Sequence, residues 1–214
     1  MSTAQVWALV PAKSFARAKS RLSGLLGEQE RTSLAREMLE HVLEVLSGAA
    51  EIAGVMVVTD GDDVAGVARA RGAVAVRDAV TMGDPQRVPQ TPPASPPLGS
   101  IVDAALAELS ARKAGAALVL MSDLPRLTAG DVRALVEQMA EADVVAAPDL
   151  RGEGTNALGV TPPDAFRTSF GTRDSFARHL RAAEAAGLRV GVHRSFGLAF
   201  DVDEPADLES LRRG

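Results

Sequence analysis

The chain has 214 residues, 46% of them apolar, and a formal net charge of −5 at pH 7; it can bury one sizeable core and offers no general surface for nucleic acid. It has no cysteine, which excludes disulfides and thiolate chemistry, and its three histidines form no HxH or HExxH spacing for zinc. No apolar run is long enough for a membrane span and no secretory leader is visible, so a single cytoplasmic domain over 1–214 is expected, as monomer or homodimer.

Strand-like and helix-like runs alternate. "QVWALVPA" (5–12) predicts a first strand, and "RTSLAREMLEHVLEVL" (31–46) a helix with Leu34, Met38, Val42 and Leu46 on one side. "IAGVMVVT" (52–59) predicts a second strand, "DDVAGVARARG" (62–72) a short helix ending at Gly72, and "AVAVR" (73–77) a third strand. The stretch at about 84–97 carries Pro85, Pro89, Pro92, Pro93, Pro96 and Pro97, which excludes a regular helix or internal strand. It is expected to be a long loop, either solvated or folded over a ligand as a lid.

"SIVDAALAELSARKAG" (100–115) predicts the next helix and "AALVLM" (116–121) the strongest central strand. "TAGDVRALVEQMAEA" (128–142) predicts a helix opened by a Thr128–Asp131 capping box. "DVVAAP", "ALGVTP" and "RVGVHR" add shorter strands, and "DSFARHLRAAEAAG" (174–187) a helix with His179 on its surface. "AFDVD" (199–203) predicts a late strand, and Pro205 opens a terminal helix at a position that suits proline. This order implies an α/β sandwich around a mostly parallel sheet, whose ligands bind beyond the C-terminal ends of the strands.

Three groups of residues carry chemistry near those ends. "VPAKSFARAKSRL" places Lys13, Arg17, Lys19 and Arg21 after the first strand, where they can surround a polyphosphate or form a solvated basic turn. It is neither a P-loop nor a dinucleotide fingerprint, since GxxxxGK[ST] and GxGxxG are both missing. "MSDLPRL" puts Asp123 at the tip of the central strand, either as a turn residue or as a metal ligand. Asp201 and Asp203 alternate on the late strand and reach Asp123 if that strand lies beside "AALVLM"; together the three can share Mg²⁺ with substrate phosphates. Asp203 equally suits a cap for the terminal helix.

The third group is polar and uncharged. "LRGEGTNALGV" offers Thr155 and Asn156 in a Gly-rich turn that also reads as an ordinary hairpin. "FGTRDSFARH" sets Gly171 and Ser175 at a loop–helix junction, where free amides attract an anion or Asp174 or Ser175 simply caps the helix. No GxSxG supports a nucleophilic triad. A polyphosphate, Mg²⁺ and a second anionic substrate fit these groups best, which points to nucleotidyl transfer by positioning and charge neutralisation.

"VPAKSFARAKSRL", "LVLMSDLPRL", "APDLRGEGTNALGV", "FGTRDSFARH" and "FDVDEPADL" resemble, in this order, the 2-phospho-L-lactate or phosphoenolpyruvate guanylyltransferases of coenzyme F420 biosynthesis. That family has the three-layer GT-A/MobA-like nucleotidyltransferase fold. The resemblance implies transfer of GMP from GTP to a small phosphorylated carboxylic acid, with Mg²⁺. It implies Lys13, Lys19 and Arg21 as triphosphate-binding cations, and Asp123 and Asp201 as metal ligands with Asp203 beside them. Thr155, Gly171 and Ser175 are implied as acceptor contacts, with Asn156 holding their turn. Gly99 stands where the family carries an asparagine that positions the nucleotide, and Glu204 where threonine is usual. Other outcomes are a 3-phosphoglycerate guanylyltransferase, another MobA-like nucleotidyltransferase, or a non-catalytic nucleotide-binding protein. The glycine-rich first loop usual in the MobA-like class is missing.

Overall fold

The computed structural model describes residues 5–77 and 97–213. The proline-rich stretch, up to residue 96, lies outside the described residues. Among the described residues seven strands form one sheet: β1 Val6–Pro11, β2 Ile52–Thr59, β3 Val74–Arg77, β4 Ala116–Leu120, β5 Val144–Pro148, β6 Thr155–Val160 and β7 Val190–Val192. Their spatial order is β3-β2-β1-β4-β6-β5-β7, and β6 alone runs against its neighbours. The sheet is therefore mostly parallel, as the near-continuous apolar runs predict.

The helices are α1 Glu28–Gly48, α2 Asp62–Ala70, α3 Leu98–Ala111, α4 Ala129–Met139, α5 Ser175–Ala185, α6 Phe196–Ala199 and α7 Pro205–Arg213. Alternation along the strands divides the interior into two layers. Ala8, Val10, Leu118 and Leu120 pack with α1, α2 and α4 on one face. Leu9, Ala117 and Val119 pack with α3 and α5 on the other. None of the helices is long and apolar enough to cross a membrane among the described residues.

Local chemistry sets the helix starts. Thr128 Oγ1 accepts the Asp131 N–H at 3.2 Å while the Asp131 carboxylate accepts the Thr128 N–H at 2.9 Å, the expected capping box. α1 begins at Glu28, three residues earlier than its apolar periodicity suggests, because the Glu30 carboxylate accepts the Gly27 N–H at 2.7 Å.

One expected element does not form. Residues 199–203 are not a strand: α6 occupies 196–199, and the chain then runs irregularly through Asp201 and Asp203 into α7. The sheet position beside β4 is taken by β6, whose hairpin with β5 pairs Leu158 with both Val119 and Ala146. With both edges of β4 paired, to β1 and β6, no edge is left for a further strand. The 200–202 stretch is instead held by a small separate cluster in which Phe200 and Val202 meet Leu22, Leu26, Met38 and Leu208.

Candidate active site

The C-terminal ends of β1, β2, β4 and β5 meet the N-terminal end of β6 at one edge of the sheet. Two clefts open there. One of about 430 Å³ is lined by Ala12, Lys13, Arg17, Lys19, Asp60 and Ile101 among others. The second, of about 530 Å³, is lined by Thr155, Asn156, Phe170, Gly171, Ser175 and Asp201 among others. Arg21, Leu98, Met121, Asp123 and Asp203 border both.

The basic loop between β1 and α1 is pinned by acidic groups that follow β2, Asp60 in the turn and Asp63 at the start of α2. The Ser14 N–H donates to the Asp60 carboxylate at 3.0 Å, and the Phe15 N–H and Ser14 hydroxyl donate to Asp63 at 2.9 and 3.0 Å. Arg17 pairs with Asp60. Phe15 plugs into the layer under α1 and α2 and Leu22 into the separate cluster with Phe200 and Val202, which leaves the intervening cations at the sheet edge. Asp63 has no part in the sequence-level expectations; the only signal for it is the acidic "DGDD" run directly after β2.

Lys19 adopts the left-handed region at φ 53°, a conformation disfavoured for a residue with a side chain. Its ammonium lies 2.5 Å from Asp123 and 3.1 Å from Asp203, and only 7% of its side chain is exposed. Burial works against its charge, but the Asp123 and Asp203 carboxylates outweigh that cost and hold its pKa above the ordinary lysine value. Arg21 reaches Asp203 at 3.2 Å. Lys13 lines the first cleft and has no ion-pair partner among the described residues.

Asp123 follows β4 because Leu124 and Leu127 turn into the core and fix the "DLPRL" segment around them. Val202 is likewise fully buried, so Asp201 and Asp203 on either side of it point the other way. The alternation expected of a strand thus survives in an irregular segment. Carboxylate oxygens of Asp123, Asp201 and Asp203 lie within 4.8 Å of one another. Burial, then the charges of Asp123 and Asp203, push the Asp201 pKa up to about 6, against a hydrogen bond donated by Asn156 Nδ2 at 3.2 Å. Asn156 also donates to the Ala199 carbonyl at 3.2 Å, so it links β6 to the Asp201 segment. Asp203 is not the cap of α7: Asp207 accepts the N–H groups of Asp203 and Glu204 at 3.0 and 2.7 Å.

Three crowded carboxylates, one of them with its pKa raised, form an all-oxygen donor set that suits a hard divalent ion. The residues present fit such an ion.

The opposite wall pairs its exposed charges, Arg151 with Glu204 and Arg173 with Glu153, and buries uncharged polar groups beneath them. Thr155 and Ser175 are buried side by side with their hydroxyl oxygens 3.3 Å apart. Gly171 sits at φ +84° with its Cα face against the Leu98 side chain, where a Cβ would come within 3.1 Å. The α5 N-terminus is not an open anion site: the Ser175 N–H donates to the Thr172 carbonyl and the Phe176 N–H to the Glu153 carbonyl. Nor does Asp174 cap it, since its carboxylate takes the Arg178 guanidinium at 2.6 Å. His179, expected on the helix surface, is fully buried and hydrogen-bonds to Thr155 and the Ser169 amide. Gly99 is buried too, its N–H donating to the Phe170 carbonyl at 3.0 Å. Glu204 makes a two-pronged pair with Arg151 at 2.7 and 3.0 Å on the rim.

A family model described as "Guanylyl transferase CofC like" matches residues 6–84 and 98–212. The chain belongs to that family. CofC-like relatives include the phosphoenolpyruvate guanylyltransferase of Sphaerobacter thermophilus, 38% identical over 95% of this chain and 91% of its own length. The 2-phospho-L-lactate guanylyltransferase of Methanopyrus kandleri is 36% identical over 89% of this chain and 82% of its own. The 3-phospho-D-glycerate guanylyltransferase of Phenylobacterium zucineum is 33% identical over 92% and 85%. Among solved structures, a protein named as a nucleotide-diphospho-sugar transferase from Desulfovibrio desulfuricans G20 superposes with TM-score 0.76. It covers 98% of this chain and 87% of that one at 18% identity, so it speaks for the fold alone. The CofC-like match stops and resumes around residues 85–97, the proline-rich stretch. Membership makes this chain an enzyme of the nucleotidyltransferase superfamily.

Proposed function

We propose that the chain transfers GMP from GTP to a small phosphorylated carboxylic acid, phosphoenolpyruvate or 2-phospho-L-lactate, with release of diphosphate, in coenzyme F420 biosynthesis. The observation that carries this reading is the shared border of the two clefts. Asp123, Asp203 and Arg21 stand where a molecule in one cleft meets a molecule in the other. Family membership supplies the choice of nucleotide and of acceptor class.

In this reading GTP lies in the cleft beside Lys13, Lys19 and Arg21, whose charges offset those of the triphosphate. The acceptor lies against Thr155, Ser175 and Gly171. An oxygen of its phosphate attacks the α-phosphorus in line, a new P–O bond forms, the bond to the β-phosphate bridging oxygen breaks, and diphosphate leaves. No side chain forms a covalent bond, so the chain contributes positioning and charge. Asp123 and Asp201, with Asp203, would hold Mg²⁺, which when bound neutralises phosphate charge and polarises the reacting phosphoryl oxygens. Lys19, which pairs with Asp123 and Asp203, would stand free to pair with the phosphates where an ion holds those carboxylates. Asn156 keeps Asp201 oriented.

The test is diphosphate release from GTP and Mg²⁺ with each acceptor supplied separately. Release with phosphoenolpyruvate or 2-phospho-L-lactate is expected. Release only with 3-phosphoglycerate would replace the acceptor. Turnover with another nucleotide and a different acceptor would move the chain elsewhere in the MobA-like class. GTP binding that persists in chelator with no turnover would make it a non-catalytic nucleotide-binding protein.

A further inference from the structure

His179 has no exposed surface, yet both of its ring nitrogens are hydrogen-bonded. A backbone N–H can only donate, so the Ser169 amide, 2.8 Å from Nε2, makes Nε2 the acceptor. Burial holds the imidazole pKa down at about 4, so at neutral pH the ring carries one proton. That proton is on Nδ1, which donates to the Thr155 hydroxyl oxygen 2.9 Å away. Phe170 and Phe166 pack on the ring with centroids at 4.6 and 6.3 Å and fix its plane.

The consequence lies one bond further out. Thr155 and Ser175 both line the second cleft. Because Nδ1 donates, and the Ser175 hydroxyl also donates to Thr155 Oγ1 at 3.3 Å, the Thr155 proton is not used inward and can be turned toward a ligand. The opposite tautomer would draw the Thr155 proton onto Nδ1 and present a lone pair to the cleft, which repels an anion. The same ring holds the Ser169 amide, and the Gly99 N–H holds the Phe170 carbonyl one residue on, so the turn carrying Gly171 is tied to β6 and α3.

We propose that His179 is a positioning residue that sets the Thr155 hydroxyl, which also accepts from Ser175, as a proton donor to the acceptor's anionic group. This role rests on the acceptor lying against Thr155 and Ser175, as described under the proposed function. It predicts an effect on acceptor binding that passes through Thr155 and spares GTP.

The test is steady-state kinetics with phosphoenolpyruvate or 2-phospho-L-lactate, whichever the acceptor panel selects, on His179→Phe, Thr155→Val, the double variant and His179→Asn. His179→Phe keeps an apolar ring of similar size and should raise the acceptor KM about tenfold or more, the scale of one hydrogen bond to a charged group, with the GTP KM within about twofold. The double variant should be no worse than Thr155→Val within about twofold, because the imidazole acts through that hydroxyl. His179→Asn, whose amide N–H reaches the level of Nδ1, should recover most of the loss. Multiplicative effects in the double variant, or an unchanged acceptor KM in His179→Phe beside a raised one in Thr155→Val, would overturn the role of His179. An unchanged acceptor KM in Thr155→Val would instead overturn the acceptor site itself, and the role of His179 with it. Should His179→Phe fail to fold, ¹⁵N NMR of the wild-type imidazoles, assigned through His179→Asn, reads the tautomer directly. A proton on Nδ1 at pH 7 is expected; a proton on Nε2 would refute the proposal.

Discussion

The two walls of the site are built on opposite electrostatic plans. The wall formed by the β1–α1 loop and the β4 tip is ionic: Lys19 and Arg21 sit on Asp123 and Asp203, and the Arg21 and Asp203 side chains are 69% and 45% exposed. The wall formed by β6, α5 and the 168–172 turn keeps its charges in exposed pairs, Arg151 with Glu204 and Arg173 with Glu153, while Thr155 and Ser175 below them are uncharged and backed by a buried imidazole. An ion pair at a half-exposed edge, such as Arg21 with Asp203, can exchange partners at low cost, because water and incoming phosphates replace what is lost. Buried hydrogen bonds cannot, since each unpaired group carries a desolvation penalty. One wall is therefore arranged to change on binding and the other to stay as it is.

Substitutions that strike the ionic wall should have the largest effects. Asp123→Asn removes a carboxylate from both its salt bridge and the metal set, and guanylyl transfer should fall about a thousandfold or more in kcat/KM, measured by diphosphate release. Retention of near-normal activity would detach Asp123 from the chemistry.

Lys19→Met separates charge balance from catalysis. It leaves Asp123, Asp201 and Asp203 facing one another with only the exposed Arg21 beside Asp203. Stability in chelator should drop by about 2 kcal/mol, less than for a fully buried pair because Asp203 is 45% exposed, and added Mg²⁺ should restore most of it. Urea unfolding with and without the ion measures this; a loss that Mg²⁺ does not recover would show that Lys19 and the metal do not share the site.

Gly99 tests the wall of β6, α5 and the 168–172 turn. An added Cβ would lie 3.2 Å from the Thr168 carbonyl and 3.4 Å from that of Phe170, so the turn must move by a few tenths of an ångström. Gly99→Asn should cost about 1 kcal/mol of stability and raise the acceptor KM several-fold. The resemblance implies that an asparagine here serves the nucleotide. A lower GTP KM in this variant would uphold that role and contradict the packing.

The smallest effect is a matched pair of pH dependences. Asp201, with its folded pKa raised to about 6, binds its proton more tightly folded than unfolded, so its contribution to stability is lost as pH rises through that value. His179, depressed to about 4, does the reverse: its contribution is present above the unfolded value near 6.5 and is lost as pH falls toward 4. In metal-free protein the two oppose each other between about pH 4 and 6.5. Relative to wild type, Asp201→Asn should therefore gain stability as pH rises across that window, and His179→Phe should lose it. Urea midpoints at several pH values read both slopes; parallel slopes for wild type and a variant would remove that residue from the linkage.

The seven sheet strands, every helix but α6, and the basic loop were legible because local patterns encode them: apolar runs of four to eight residues, amphipathic periods, capping pairs and prolines. So were Asp123, Asp201 and Asp203 as partners, since each stands at or near a tip or beside an apolar anchor. The manner of their meeting was not legible. β6 holds the sheet edge that the Asp201 segment was expected to occupy, and strand order is a property of the whole sheet rather than of any one run. His179 was hidden for the same reason. A histidine on a helix reads as surface until the aromatic pair Phe166 and Phe170 closes over it and Ser169 takes its nitrogen. Sequence alone determined which segments exist and which residues are charged, because those follow from neighbours along the chain. Only the tertiary structure decided which charge faces which and which polar groups are sealed from water, because pairing and desolvation depend on residues such as Lys19 and Asp203, 184 positions apart.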